Sequence, residues 1–298
     1  MYESFASLAA DENKTNLPLW KLIQKEDCAE NGTDEEQCWE EMAGMYAAMK
    51  EEDQDYSPKR FSNSGLVGDE AGRMHEYRKN GNTISGPFMS LVMERALKIA
   101  DSNACMKRIV ASPTAGSCGV VPSVLLTIQE DRKFTDEQMI QSLFVAGGIG
   151  GIIAARATLA GAEGGCQAEI GAASAMAAGA LVSLFGGSCE SVANAAALAL
   201  KNLLGLACDP VAGLVEVPCV KRNVIGAVNA IAAAEMTMAG IASRIPPDEV
   251  VDAMRSIGRH MDAGIRETGT GGLAAAPTAQ KIKKRIAGSR PHPAGNAQ

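Results

Sequence analysis

The sequence predicts an all-α fold, and three observations carry that prediction. From Pro87 onward the apolar residues recur with helical periodicity. No run alternates with a period of two between turn signals on both sides, which is what strands require. Hydrophobic residues make up 46 % of the 298 positions while aromatics make up 4 %, so the core has to be built from Ala, Leu, Ile, Val and Met. Such a core suits helices that cross at short range.

Taken in order, residues 1–60 are charged (DENK, QKEDCAENGTDEEQ, MKEEDQDYSPKR) around short helical patterns such as CWEEMAGMYAAMK. They read as an acidic helical N-terminal appendage with a solvated face, ending near Pro58. Residues 61–87 are rich in Gly, Ser and Asn, the composition of a long loop able to fold over a site. Helices follow near 88–102, 121–130, 135–160, 167–186, 189–204, 219–243 and 247–262. Thr135 before DEQ reads as an N-cap, and Pro246 and Pro247 before DEVVDAM mark a helix start. Gly-rich breaks, AGGIGG and GAEGG, fall where helices pack tightly or end. The sequence thus divides into the appendage (1–60), an all-α body (61–282) and a loosely held tail, basic and then Pro- and Gly-rich (283–298).

The chain is long enough to bury a substantial core without staples. A formal net charge of -7 and no long basic run argue against nucleic acid as a partner. The best membrane-span candidate, Ile170–Gly187, has no charge, but its Ala, Gly and Ser gain little from lipid, so a buried core helix is expected and no membrane. MYESFASLAADENK has neither the basic start nor the apolar run of a secretory signal. A cytoplasmic protein with eight reduced cysteines is expected.

Three of those cysteines sit at expected helix boundaries. Cys166 follows GAEGG, Cys208 precedes Asp-Pro, and Cys219 follows Pro218. Free backbone amides at such ends let a ligand or ion approach. Cys28, Cys38, Cys105 and Cys189 lack this setting and read as small buried hydrophobes. Spacings of 42 (166 to 208) and 11 (208 to 219) match neither the close pairs of structural zinc nor ferredoxin runs. Three ligands would leave a fourth position open for a substrate oxygen.

PTAGSCGVVPSVLL (113–126), EGGCQAEIGAASAMAAGALV (163–182) and CDPVAGLVEVPCVKRN (208–223) resemble the signature segments of the iron-sulfur-dependent L-serine dehydratases, in the alpha subunit of their two-subunit form. The resemblance spans about residues 60–280. It implies a compact multi-helix catalytic domain holding a 4Fe-4S cluster through Cys166, Cys208 and Cys219, and deamination of L-serine to pyruvate and ammonia. It also implies a separate beta subunit, since residues 1–60 do not replace the extra domain of single-chain members, and an oligomeric enzyme. The tail GSRPHPAGNAQ lacks the terminal cysteine that caps the open iron in some members.

Beside the cysteines, PTAGSCG exposes consecutive amides before a helix, a nest suited to a substrate carboxylate, or a plain capping turn. Its candidates are Thr114, Gly116, Ser117, Cys118 and Gly119; Cys118 is set in an exposed-loop composition. Ser62, Ser64 and Gly65 in SNSGLVG are further candidate donors, and Lys221 and Arg222 could offset cluster charge. Among three histidines, His75 is the candidate catalytic group, near the site in the 61–87 loop; His260 fits a helix C-terminus and His292 lies in the tail. The base could equally come from the beta subunit. A pyridoxal phosphate enzyme would need an α/β fold. A non-catalytic helical subunit with a structural metal site that binds a partner chain is the remaining alternative.

Overall fold

The computed structural model describes residues 1–81 and 83–289. It is all-α: among the described residues there is no strand, only an isolated bridge between Cys208 and Arg266. In chain order the helices are α1 (Phe5–Thr15), α2 (Leu19–Asn31), α3 (Glu35–Gln54), α4 (Glu70–Lys79), α5 (Gly86–Ala104), α6 (Val120–Arg132), α7 (Asp136–Arg156), α8 (Gly161–Gly164), α9 (Ala172–Leu184), α10 (Cys189–Lys201), α11 (Cys219–Met238), α12 (Pro247–His260) and α13 (Pro277–Ser289).

The Ala-rich run expected to be a buried helix is α9, and every residue from Ala172 to Val182 is buried. It is surrounded by α6, α7, α10 and α11. Small side chains let these neighbours close in. Where α11 crosses α9, a Cβ on Gly226 would stand 2.8 Å from Val120 and 3.0 Å from Ile170. Ser174 Oγ donates to the Gly226 carbonyl (2.8 Å), and Asn229 Nδ2 donates to Ser174 Oγ (2.9 Å), so polar groups at the crossing are mutually satisfied. Among the described residues the helix with the length and apolarity to cross a membrane is α7 rather than 170–187; 67 % of its apolar window is buried inside the body, between α2, α3 and α9.

Thr135 caps α7 as expected, its hydroxyl accepting from the Gln138 amide (3.2 Å) while Gln138 Oε1 accepts from the Thr135 amide (2.9 Å). The 61–87 segment contains a helix its Gly, Ser and Asn flanks obscured: α4, closed by an Arg73–Asp69 pair (2.6 Å) and by the Ala71 amide donating to Asp101 (3.1 Å). The C-terminal body helix extends through residues 283–289, which therefore belong to α13 instead of a tail. Residues 290–298, His292 among them, lie outside the described residues.

The first sixty residues are packed into the body. Tyr2, Phe5, Leu8, Leu22, Ile23, Tyr46 and Met49 share one hydrophobic cluster with α7 and α9. Several acids in this region turn inward as well. Glu12 accepts from the Cys189 amide (3.0 Å) at the start of α10, and Asp248 of α12 accepts from the Phe5 amide (2.9 Å) at the start of α1, both helix N-termini where a carboxylate is favoured. Glu52 is 4 % exposed; its Oε1 takes the Val110 amide while its Oε2 has no partner among the described residues. The acidic composition, read as a solvated face, thus conceals carboxylates that fasten α1 and α3 to the body.

Two outcomes are expected. Gly148 of α7 faces Ile23 of α2, and a Cβ there would meet Ile23 Cδ1 at 2.6 Å. Overpacking by ~1–3 kcal/mol outweighs the ~1 kcal/mol gain in helix propensity. Gly148→Ala therefore lowers the urea midpoint, and does so less in an Ile23→Val background that lacks Cδ1. For Glu52, burial pushes the pKa from 4.5 up to about 7. A carboxyl that keeps its proton more tightly when folded stabilises fully below the lower value and loses that contribution as pH rises to the upper one. Unfolding measured from pH 4.5 to 7 should show a fall on the order of 2 kcal/mol that Glu52→Gln abolishes.

Candidate functional site

Cys219 opens α11, and three further residues of that helix build the floor beneath it. Asn223, one turn on, is 1 % exposed and holds three backbone groups: Oδ1 accepts from the Gly119 amide (2.9 Å), while Nδ2 donates to the Gly116 carbonyl (2.9 Å) and the Cys219 carbonyl (3.0 Å). Gly226 seats the helix on α9, and Arg222 reaches sideways to the Cys208 segment.

The stretch from Cys208 to Cys219 is a closed loop. The Val211 amide donates to the Val217 carbonyl (2.8 Å), and Val211–Gly213 forms a turn with Ala212 and Gly213 at φ 57° and 71°. Cys208 itself is pinned by residues 263–273: its amide donates to the Ile265 carbonyl (2.8 Å) and its carbonyl accepts from the Glu267 amide (2.6 Å). Cys166 enters from the other side. Gly165 before it has φ 75°, and a Cβ there would strike Met261 Sδ at 2.6 Å, so only glycine fits. Beyond Cys166 the backbone makes a π-helical turn, Gln167–Gly171, before α9 begins; such turns recur at functional sites. Buried Gln167 joins the two cysteine segments, its Oε1 accepting from the Gly205 amide (2.9 Å) and its Nε2 donating to the Met254 carbonyl (3.0 Å).

The three thiols are buried, and Cys166 acts on both of the others. Burial, opposed by the Arg222 cation, pushes Cys166 up to about 11; burial and then Cys166 and Glu169 push Cys219 up to about 12; burial, Glu169 and Cys166 raise Cys208 further. They are the sulfur donors the site offers. Among the described residues no three His, Cys, Asp or Glu side chains converge to hold a single metal ion.

Glu169 is the site residue that motif reading missed. It lies on the π turn; Thr114 Oγ1 donates to its Oε1 (2.8 Å), and Cys208 Sγ lies 3.6 Å from its Oε2. Burial raises its pKa. Gly116 and Gly161 approach so closely that a Cβ on either would stand 3.0 Å and 2.8 Å from this carboxyl. A signal existed: Glu169 is the sole charge between Glu163 and Glu190.

The remaining candidates separate. Thr114 and Gly116 face Glu169. Ser117 is fully buried, its hydroxyl taken up by backbone of its own turn. Cys118 is fully buried too, its thiol aimed at the Ile99 carbonyl (4.0 Å), contrary to the exposed setting its neighbours imply, and the Gly119 amide belongs to Asn223. Within 114–119 the amides left without an internal partner, among the described residues, are those of Ala115 and Gly116. Ser62 and Ser64 both donate to Glu216 Oε2, Ser62 at 2.9 Å, so the SNSG loop is latched to the cysteine loop; Gly65 forms its turn at φ 70°. His75 is elsewhere. It stands on α4, its Nδ1 3.0 Å from Glu94 Oε1, in a cavity of about 700 Å³ lined by Asp53, Tyr56 and Lys98 but by none of the cysteines. Lys221 pairs with Glu70, away from the thiols.

Asn223→Ala should strand a buried amide and leave two carbonyls short of a donor. At ~1–3 kcal/mol for a stranded group, a loss of about 2–4 kcal/mol is expected in urea unfolding, with faster proteolysis of the 112–119 turn.

The family model of the serine dehydratase alpha chain matches residues 14–274. The chain is 53 % identical over 227 residues to the probable L-serine dehydratase, alpha chain, of Bacillus subtilis (strain 168), covering 76 % of each chain. It is 40 % identical over 274 residues to the L-serine dehydratase, alpha chain, of Peptoniphilus asaccharolyticus, covering 91 % of this chain and 94 % of that one. It is 45 % identical over 181 residues to the L-serine dehydratase TdcG of Escherichia coli (strain K12), covering 60 % of this chain and 40 % of that one. An all-α body that brings the 114–119, 166–169 and 208–223 segments to one place agrees with these matches, and the chain belongs to the serine dehydratase alpha chain family.

Proposed function

We propose that this chain, with a beta subunit in an oligomeric cytoplasmic enzyme, converts L-serine to pyruvate and ammonia, and that Cys166, Cys208 and Cys219 hold a 4Fe-4S cluster. The observation that carries the reading is that three buried thiols on three separately anchored segments gather about Glu169, whose carboxyl lies 3.6 Å from Cys208 Sγ. Deprotonating them unaided would crowd negative charge around Glu169 with Arg222 the neighbouring cation, and iron supplies the positive charge such a donor set calls for.

When bound, the cluster supplies Lewis-acid assistance to departure of the substrate hydroxyl. The chain's own residues supply orientation. The Ala115 and Gly116 amides are the donors for the serine carboxylate, beside the Thr114 hydroxyl that is committed to Glu169. Burial shifts Glu169 toward its protonated form, which lessens the repulsion between its carboxyl and that carboxylate. Ser62 and Ser64, committed to Glu216, fasten the wall of the pocket and leave direct recognition to the 114–116 turn.

Anaerobic loading with iron and sulfide is the test. The expected product is a brown protein that binds iron and sulfide in equal amounts, bleaches in air and, mixed with its partner, forms pyruvate from L-serine; Cys208→Ser should lose the colour and the activity together. A colourless zinc protein, or a yellow one reduced by borohydride, would overturn the reading.

A further inference from the structure

Arg222 touches the surroundings of all three cysteines. It stands on α11 three residues after Cys219, and its guanidinium grips Cys208 from both flanks: Nη1 donates to the Ala207 carbonyl (2.6 Å) and Nη2 to Asp209 Oδ1 (2.8 Å). Its charge lies beside the Cys166 thiol. Asp209 is itself fixed, since its Oδ2 accepts from the Leu273 amide (2.8 Å) and Gly272, at φ 54°, leaves no room to turn away. The adjacent cation does none of this, because Lys221 is half exposed and paired with Glu70 on α4.

We infer that Arg222 is the positioning residue of the cysteine triad, holding Cys208 in register with Cys219 through its two-pronged grip and compensating the thiols' charge through its cation. This rests on the reading that the triad holds the cluster. A guanidinium presents two nitrogens in a fixed plane and can take two acceptors that straddle one residue, whereas a lysine ammonium is a single point donor on a flexible stem. The grip and the charge are therefore separable. Arg222→Lys keeps the charge and loses the fork; Arg222→Gln loses the charge as well.

Two readouts decide it. In the cluster-free chain under native conditions, alkylation of Cys208 by iodoacetamide should rise at least tenfold in Arg222→Gln, with fully buried Cys118 and Cys189 as controls for the intact fold. After anaerobic loading at limiting iron, both variants should retain less than half the wild-type iron. The midpoint potential of what is loaded should fall in Arg222→Gln, because a cation that favours the reduced cluster is gone, and be restored in Arg222→Lys, a separation that mere structural damage would not produce. Wild-type alkylation rate and iron content in Arg222→Gln would overturn the inference while leaving the proposed function standing. If the wild-type chain takes up no cluster, the proposed function fails, and the alkylation comparison still decides whether Arg222 holds Cys208. Should Arg222→Gln also expose Cys118 and Cys189, the comparison passes to Arg222→Lys, where fast Cys208 alkylation supports the grip and a wild-type rate refutes it.

Discussion

Where α11 crosses α9, Gly226 leaves no space for a side chain between the helix and the Val120 and Ile170 residues beneath it. Everything at the site is referred to that crossing. Cys219, Asn223 and Gly226 occupy one face of α11 at helical spacing, so fixing the height of Gly226 also fixes how far Asn223 reaches toward the 116–119 turn and where the Cys219 thiol emerges. The two sides of the crossing carry different sequence burdens. α9 contributes smallness, with Ala, Gly and Ser on every face, while α11 contributes polarity on one face and closeness on the same one. A larger residue at the crossing would act on the site through the backbone, without touching any group that handles a substrate.

Such a site gathers more negative potential than positive. Glu169, Asp209 and three thiols share Arg222 as their cation, Glu216 adds a buried carboxylate in the cysteine loop, and burial of unpaired charges is expensive. The chain resolves this in three different ways. Asp209 is paired and hydrogen-bonded, taking Arg222 and the Leu273 amide. Glu216 takes two serine hydroxyls, neutral donors that solvate a carboxylate while latching a second loop. Glu169 and the thiols are shifted toward their protonated forms instead. Each solution leaves a different chemical residue behind: a fixed anion, a mechanical tie, and a set of protons available for displacement.

Much of this was legible from the sequence, for identifiable reasons. Helix existence followed from periodicity, and Thr135 was recognisable because a capping box is written in adjacent residues. Cys166 and Cys219 stood out at helix boundaries and lie there, before the π turn and at the first residue of α11, whereas Cys208, expected at a helix end, lies beyond the end of α10 at Lys201 in a bridge with Arg266. What was not legible depends on direction. Composition marked 114–119 and 62–65 as donor-rich, but whether Ser117 points inward or Ser64 spends its proton on Glu216, 152 residues away, is set by tertiary contacts. Cys118 sits among loop residues and is nevertheless wholly buried, because the turn lies against the Ala96 and Ile99 carbonyls of α5. His75 was drawn toward the site by neighbouring charges along the chain, whereas helical spacing within α4 carries it to Glu94. The acidic N-terminal segment misled for the same reason: average charge says nothing about which carboxylates cap helices of the body.

The anchoring of the thiols bears on the order in which fold and cofactor come together. In small metal-dependent domains the ligands find their places only as the metal binds, and binding energy is folding energy. Here the segments are held by contacts that need no metal: Gln167 to the 205 and 254 backbones, Ile265 and Glu267 to both sides of Cys208, and Asn223 to the Cys219 carbonyl. A chain with this core can therefore fold with its thiols protonated, and the proposed cluster would displace those protons rather than organise the backbone. Because the thiols sit above the ordinary thiol range, displacement is opposed by acid and assisted by a rise in pH. On the proposed reading, the contacts around Cys166, Cys208 and Cys219 preorganise the ligand frame, and burial leaves protons as the occupants to be exchanged.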